Sequence, residues 1–585
     1  MNQNTTDQFF KSTVLGHPSG LFVLFFTEMW ERFSFYGMRV LLINFLTMSI
    51  IGDNAGWGWS SENAGALYGT YAMLLYITPI FGGIIADKYI GYRWAVVIGA
   101  LIMTLGHASM AIDSPTMLYV GLGLLVLGTG FFKPNMTSIL SEMYKDYPEK
   151  KDGAYTIFYM GVNAGAFFGM MLCGYLAEKV GWHWGFGLAG VFMLLGTLQF
   201  WLAKPLFGSI GEVPNRAEVK KAEELAKQSN LDEDKRNPFT MVDKVLIVIT
   251  TVIGLLYAFN DPLSKIAAIN LFPFKLGALD GQNVMIIVAL VFFLILVVSR
   301  LMRYTTVIRH RMIAVIIFAF FTVFFWMSFE QGASSLVIFA RDNVDRTLEG
   351  SALTTFNIIN TLLTIIPLLI VSWVLILLGK QSWKKIPGSN VVLAICFIGV
   401  WSVAIWMLYK EFTATSSEIT VSWFSILNSF FIIAFASTVS KLWDSKYNPS
   451  AAYKYGLGLI IMAIGFGLLA YGAYGITEGI KVSMIWLVLA YLFHTLGELF
   501  LSPVGLSYVS KLVPARMIAF MFGMWYLAIA IGNKLAAVLG GQIDNITSQY
   551  SLSTFFLIFA IVPIVAGVLV IALNPLLKKL MHGVH

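Results

Sequence analysis

Apolar runs of about twenty residues, each long enough to cross a bilayer, follow one another along almost the whole chain, separated by short polar turns. They predict membrane helices over 20–49, 63–86, 94–112, 116–142, 153–178 and 184–204. They resume over 243–260, 282–301, 312–339, 352–379, 391–410, 419–443, 454–474, 483–508, 517–540 and 552–577. Between the two groups lies the longest hydrophilic run, PLFGSIGEVPNRAEVKKAEELAKQSNLDEDKRNPFTMVDK, which predicts a linker with a short surface helix at AEVKKAEELAKQ. The pattern is that of an all-α polytopic membrane protein with about sixteen transmembrane helices. Six spans before the linker and a later six suggest two bundles flanking a cleft, where secondary transporters place their site.

Composition sharpens this. Of 585 residues, 58% are hydrophobic and only 12% are charged, against about 25% charged in a soluble domain. The net charge of +7 would suggest nucleic acid in a soluble protein. Here it follows the bias of cytoplasmic loops toward Lys and Arg, and no nucleic-acid partner is expected. The basic turns DKYIGYR, YKDYPEKKD, SRLMRYTTVIRHRM, GKQSWKKIPG, SKLVPARM and LKKLMH alternate with IGDNAGWGWSSEN, IDSPT, TSSE and GGQIDNITSQYS, which lack Lys and Arg. That alternation puts both termini in the cytoplasm. The polar first stretch carries no signal-peptide pattern, so the first span is expected to act as its own insertion signal. Cys173 and Cys396 sit inside apolar runs and imply no disulfide framework.

The charges inside spans carry the chemistry. A charged side chain at the bilayer centre costs about 2.5–3.5 kcal/mol on insertion scales, so it faces a cavity or a partner. In LFVLFFTEMWERFSFYGMRVLLINFL, Glu28, Glu31, Arg32, Tyr36 and Arg39 fall on one helical stripe. Pairing Glu28 with Arg32 leaves Glu31 and Arg39 needing partners elsewhere. Four ionisable groups on one stripe exceed what docking a helix with a structural salt bridge requires. Lys133 in GTGFFKPN, Glu330 in FFWMSFEQGASS and Glu498 in FHTLGELFLSPVGLS add both signs of charge from separate spans. Together they outline a polar cavity suited to a zwitterion. Tyr68, Tyr159, Asn163, Trp326, Asn428 and Trp525 are candidate lining residues, and His107 reads as a satisfied core residue. No GxxxxGK[ST] loop or HExxH pair is present, which argues against an ATP-driven pump or a metalloenzyme. No enzymatic activity, metal or cofactor is expected.

At these residues the chain resembles the proton-dependent oligopeptide transporter family, a branch of the major facilitator superfamily. EMWERFSFYG is similar to the family's first-helix pattern ExxERFxYYG, and GGIIADKYIGYR carries Gly83, Asp87, Gly91 and Arg93 of the superfamily's loop pattern. GTGFFKPN, FYMGVNAG, FWMSFEQGASSL and GELFLSPVGLS resemble further blocks, in the family's order. The resemblance implies a major facilitator fold of two six-helix bundles with two extra helical hairpins. On that scheme 1–19 is a cytoplasmic N-terminus, 20–204 the first bundle, 205–242 the linker and 243–302 one hairpin. The first helix of the second bundle spans 303–345, a second hairpin 346–412, and five remaining helices 413–585.

The resemblance also implies roles. Glu28, Glu31, Arg32 and Glu330 are implied to couple protons. Arg39 is implied to pair with Glu330, and Lys133 with Glu498, as gating salt bridges. Arg32, Tyr36, Arg39, Tyr68, Lys133, Asn163, Trp326, Asn428, Glu498 and Trp525 are implied to bind substrate, Lys133 taking a peptide carboxylate and Glu498 its ammonium. The implied function is proton-coupled uptake of di- and tripeptides by a monomer, with protons and membrane lipid as the other partners, in a bacterial inner membrane. A same-fold carrier of nitrate or a peptide-like compound, or a non-transporting peptide sensor, is the alternative. Phe35 stands where the family has the first tyrosine of YYG, and Ser429 and Ser437 replace usual prolines near Asn428. The second hairpin interrupts what is one outer loop in the family core.

Overall fold

A backbone in hydrocarbon must satisfy its N–H and C=O groups within its own segment, and the apolar runs are accordingly helical. The computed structural model describes residues 13–213, 239–443, 445–476, 479–513 and 518–583. The surface helix expected at AEVKKAEELAKQ lies outside the described residues.

The long helices are α1 (Ser19–Thr47), α2 (Ser61–Ile85), α3 (Tyr92–Met110), α4 (Pro115–Met143), α5 (Pro148–Lys179) and α6 (Trp182–Leu202). After the linker come α7 (Met241–Ile266), α8 (Gly281–Leu301), α9 (Thr306–Phe329), α10 (Gly350–Ser382) and α11 (Pro387–Thr413). The last five are α12 (Val421–Trp443), α13 (Ala451–Gly472), α14 (Met484–Leu512), α15 (Ile518–Gly540) and α16 (Leu552–Ala572). Fifteen are apolar enough to count as spans by length and composition alone. The exception is α1, whose four charges interrupt every apolar stretch of it, although nearly all its residues are buried.

α1 packs against α5 and α6, α3 against α4 and α6, and α2 against α4, forming one bundle. α13 packs against α14 and α16, α9 against α15, and α12 against α14, forming the second. The α1–α5 contact is close because α5 presents Gly161, Gly165 and Gly169 at every fourth residue. A Cβ at Gly161 would lie 2.9 Å from the Phe25 carbonyl, and Cβ atoms at Gly165 and Gly169 would overlap the carbonyls of Met29 and Phe33. Small residues at this spacing let helix backbones touch, which is how membrane helices gain packing energy without a hydrophobic driving force.

The two hairpins sit on different sides. α7 lies on α2, with Thr70 Oγ1 donating to the Ala258 carbonyl (2.7 Å). At the base of this hairpin the buried Asp243 on α7 holds Arg303 (2.8 Å) and Arg300 (3.5 Å) of α8 and its following turn. The second hairpin lays α11 on α6 and α10 on α1, where Phe397 packs edge-on against Trp30 (ring centroids 5.6 Å). Both hairpins therefore buttress the first bundle.

One ion pair ties the α7 hairpin into both bundles. Lys534 on α15 donates to Asp261 on α7 (2.5 Å), to Thr70 Oγ1 (3.0 Å) and to the Ala66 carbonyl (3.2 Å). Asp261 also holds Lys265 (3.0 Å), which reaches Glu62 on α2 (3.0 Å). Removing one member of such a pair strands its partner, at a cost of about 3–5 kcal/mol, whereas apolar replacement of both is close to neutral. Asp261→Ala should therefore lower the melting temperature in detergent clearly, and Asp261→Leu combined with Lys534→Met should recover most of the loss. A single variant as stable as the wild type would sink this account.

Candidate functional site

The stripe on α1 is assembled as the spacing predicts, with one difference. Arg32 Nε donates to Glu28 Oε1 (2.9 Å) one turn away. The same nitrogen lies 2.6 Å from Glu31 Oε2 as an ion pair. Glu31, expected to need a partner elsewhere, thus shares Arg32, because both carboxylates fall within one turn of it. The contact misses hydrogen-bond geometry, and neither oxygen of the fully buried Glu31 has a hydrogen-bond partner. The Arg32 guanidinium also lies over the Phe35 ring at 5.3 Å, so the residue that departs from YYG keeps a cation–π contact.

Two turns along α1, Arg39 donates to the Tyr68 hydroxyl of α2 (2.7 Å) and makes a close ion pair with Glu330 of the second bundle. Glu330 is available there because α9 breaks at it: a 3-10 turn, Glu330–Ala333, leads into a short helix, Ser335–Asp342. Tyr36 lies between the two arginines, its ring 5.7 Å from the Arg39 guanidinium.

Across the cleft, Asn428 on α12 donates to Glu498 Oε2 on α14 (3.0 Å), and to the Thr495 hydroxyl one turn earlier (3.0 Å). Asn428 is thus placed beside Glu498, with Ser429 and Ser437 on the same helix. Glu498 is within electrostatic range of Tyr36 and Tyr159 on the opposite wall. Lys133 lies over the Tyr76 ring at 4.9 Å and interacts with Glu31 and Glu28. Asn163 bonds the Tyr159 carbonyl (3.0 Å), Trp326 packs on Phe329 (5.3 Å), and Trp525 stands edge-on to Tyr455 (6.4 Å).

Lys133 and Glu498, expected to pair in the empty cleft, make no ion pair with each other here. The reason is the shape of the cleft. Among the described residues, the hydrogen bonds and ion pairs joining the two bundles directly all lie in the half remote from the chain termini. They include Arg39–Glu330, Ser61 to Asp544 (2.5 Å), Arg341 to Thr47 (2.7 Å), Lys534 to Thr70, Lys179 to the Glu418 carbonyl, and Glu178 to the start of α12. This far side is closed. Among the described residues no hydrogen bond or ion pair joins the bundles on the terminal side, Tyr159 is 51% exposed, and Lys133 and Glu498 each contact their own bundle.

Tyr76, Thr495, Asp261, Lys534 and Glu178 were not legible as site or gate residues; Lys534 and Glu178 carry no oppositely charged residue three or four positions away, and Asp261 has only Lys265 at i+4. His107 is buried as expected but not satisfied, since neither ring nitrogen has a partner; the apolar α3–α6 contact at Gly190 closes over it. Among the described residues no group of three or more His, Cys, Asp or Glu is placed to hold a metal.

A family model described as the POT family matches residues 93–398 and 403–558. Peptide transporter YePEPT of Yersinia enterocolitica is 29% identical over 98% of this chain and 96% of its own length. A di-/tripeptide transporter of Lactococcus lactis is 27% identical over 100% of both chains. A solved structure of the peptide transporter POT in complex with sulfate superposes with a TM-score of 0.70 at 29% identity, covering 99% of each chain. The two bundles and their cleft are the major facilitator fold that this relative shares, and with most of the chain matched by the family model, this protein belongs to the POT family.

Proposed function

We propose that this chain is a proton-coupled symporter of di- and tripeptides that works by alternating access in a bacterial inner membrane. The family is one of transporters, and relatives spanning the whole chain are named peptide and di-/tripeptide transporters. The observation that carries the reading is the cleft itself, with Lys133 on one wall and Glu498 on the other, neither engaged by the other. A cation and an anion on opposite walls, not paired with each other, match the two ends of a zwitterion. Charge-assisted bonds to both ends hold any short peptide while its side chains are merely accommodated. A simple anion such as nitrate would leave Glu498 unmatched. With the basic turns read as cytoplasmic, the closure on the far side fits an inward-facing state.

Charge balance gives the coupling. Glu28 and Glu31 set two negative charges against one positive on Arg32, and Lys133 offsets the remainder from the facing helix. A substrate carboxylate that draws Lys133 and Arg32 away leaves the pair of carboxylates under-compensated, and a proton on Glu31 restores the balance. Arg39, two turns along the same helix, carries the change to the far-side pair with Glu330. Each state then has its own set of partners, which is what differential affinity between two conformations requires. An inward proton gradient supplies about 1.4 kcal/mol per pH unit and about 2.3 kcal/mol per 100 mV.

In proteoliposomes, Glu31→Gln should abolish gradient-driven accumulation of a labelled dipeptide while peptide exchange across the membrane persists. Accumulation that still follows the gradient would remove Glu31 from the coupling step. Glu498→Ala leaves the peptide ammonium without its anion, an effect of about 2 kcal/mol or more, or a roughly 30-fold rise in Kd. Unchanged affinity, read by competition with dialanine, would reject the ammonium-binding role, and competition by nitrate instead would overturn the substrate class.

A further inference from the structure

The far-side closure includes a contact that the charges of α1 do not account for. Glu178, in the last turn of α5, reaches across to the second bundle and accepts from two backbone N–H groups. Val421 N lies 2.7 Å from its Oε2 and Ser422 N 3.0 Å from its Oε1. These are the first two residues of α12. A helix start leaves such groups without partners and carries the positive end of the helix dipole. Ordinarily a side chain just ahead of the helix satisfies them. Here the cap comes from the other bundle.

The seat is tightly built. Gly174, one turn earlier on α5, faces α12 so closely that a Cβ there would overlap the Ser422 hydroxyl. Lys179, next to Glu178, donates to the Glu418 carbonyl (2.7 Å), and Arg346 pairs with the Glu418 carboxylate (2.7 Å) while lying within electrostatic range of Glu178. One turn before Glu178, the Tyr175 hydroxyl donates to the buried Glu411 of α11 (2.7 Å), which also accepts from Ser417 (2.5 Å). The second hairpin therefore grips the stretch of α5 that carries the cap.

We propose that Glu178 is a second far-side latch, separate from Arg39–Glu330, which docks the N-terminus of α12 onto the first bundle and is positioned by the second hairpin through Tyr175 and Glu411. It rests on the alternating-access reading. Opening the far side requires α5 and α12 to part, which uncaps α12 and strips the carboxylate of both donors. The latch biases the carrier toward the far-closed state and limits how readily the site is presented outward.

The test uses the full chain with spin labels on cysteines placed at the exposed far-side positions Asp53 and Tyr474, one on each bundle; the two native cysteines are buried. Glu178→Ala is expected to raise the long-distance, far-open population at least threefold, and Glu178→Gln, which keeps one acceptor, to fall between. Val421→Pro removes one donor at a position where a helix accepts proline and keeps the carboxylate. It should shift the distribution the same way and add little to Glu178→Ala. Arg39→Ala serves as the reference for a broken gate. If Arg39→Ala lengthens the distance while Glu178→Ala and Val421→Pro match the wild type, or if those two add fully, the latch is overturned and the gate stands. If none of the three lengthens it, the alternating-access reading itself fails.

Discussion

A bilayer offers an ionisable side chain no water, so a charge inside a span finds a counterpart in protein or faces a cavity. That constraint organises this molecule. Some counterparts lie on the same helix, as Arg32 does for Glu28 and Glu31. Others lie across the boundary between the bundles, as Glu330 does for Arg39 and the start of α12 does for Glu178. A pair within one helix survives any rigid-body motion. A pair across the boundary depends on the relative position of the two bundles.

The hairpins follow the same logic. Neither lines the cleft, yet each is anchored beside a moving boundary by a buried carboxylate: Asp261 at the α2–α15 crossing, Glu411 at the end of α5. Both attach to the first bundle, the half that carries α1 and its charged stripe. Along α1 the glycine ladder of α5 supplies a contact with no room for adjustment.

Glu31 and Glu498 illustrate two ways to hold a buried acid. Glu498 accepts from Asn428 and lies within electrostatic range of Tyr36 and Tyr159 of the other bundle. Glu31 is fully enclosed, with an ion-pair contact and no hydrogen bond. The first arrangement suits binding and the second suits taking up a proton.

The sequence by itself determined the number and placement of the spans, since apolar length is a local property. It also determined which side chains share the α1 stripe, because helical periodicity depends on nothing beyond the helix. The family resemblance added the pairing of Arg39 with Glu330, residues 291 positions apart, which spacing alone could not imply. Only the tertiary structure decided that Lys534 meets Asp261 across 273 positions and Glu178 meets Val421 across 243, since such contacts depend on how helices cross. It alone decided, too, that Lys133 and Glu498 stand apart, because that distance belongs to the relative position of the two bundles and not to either residue's own surroundings.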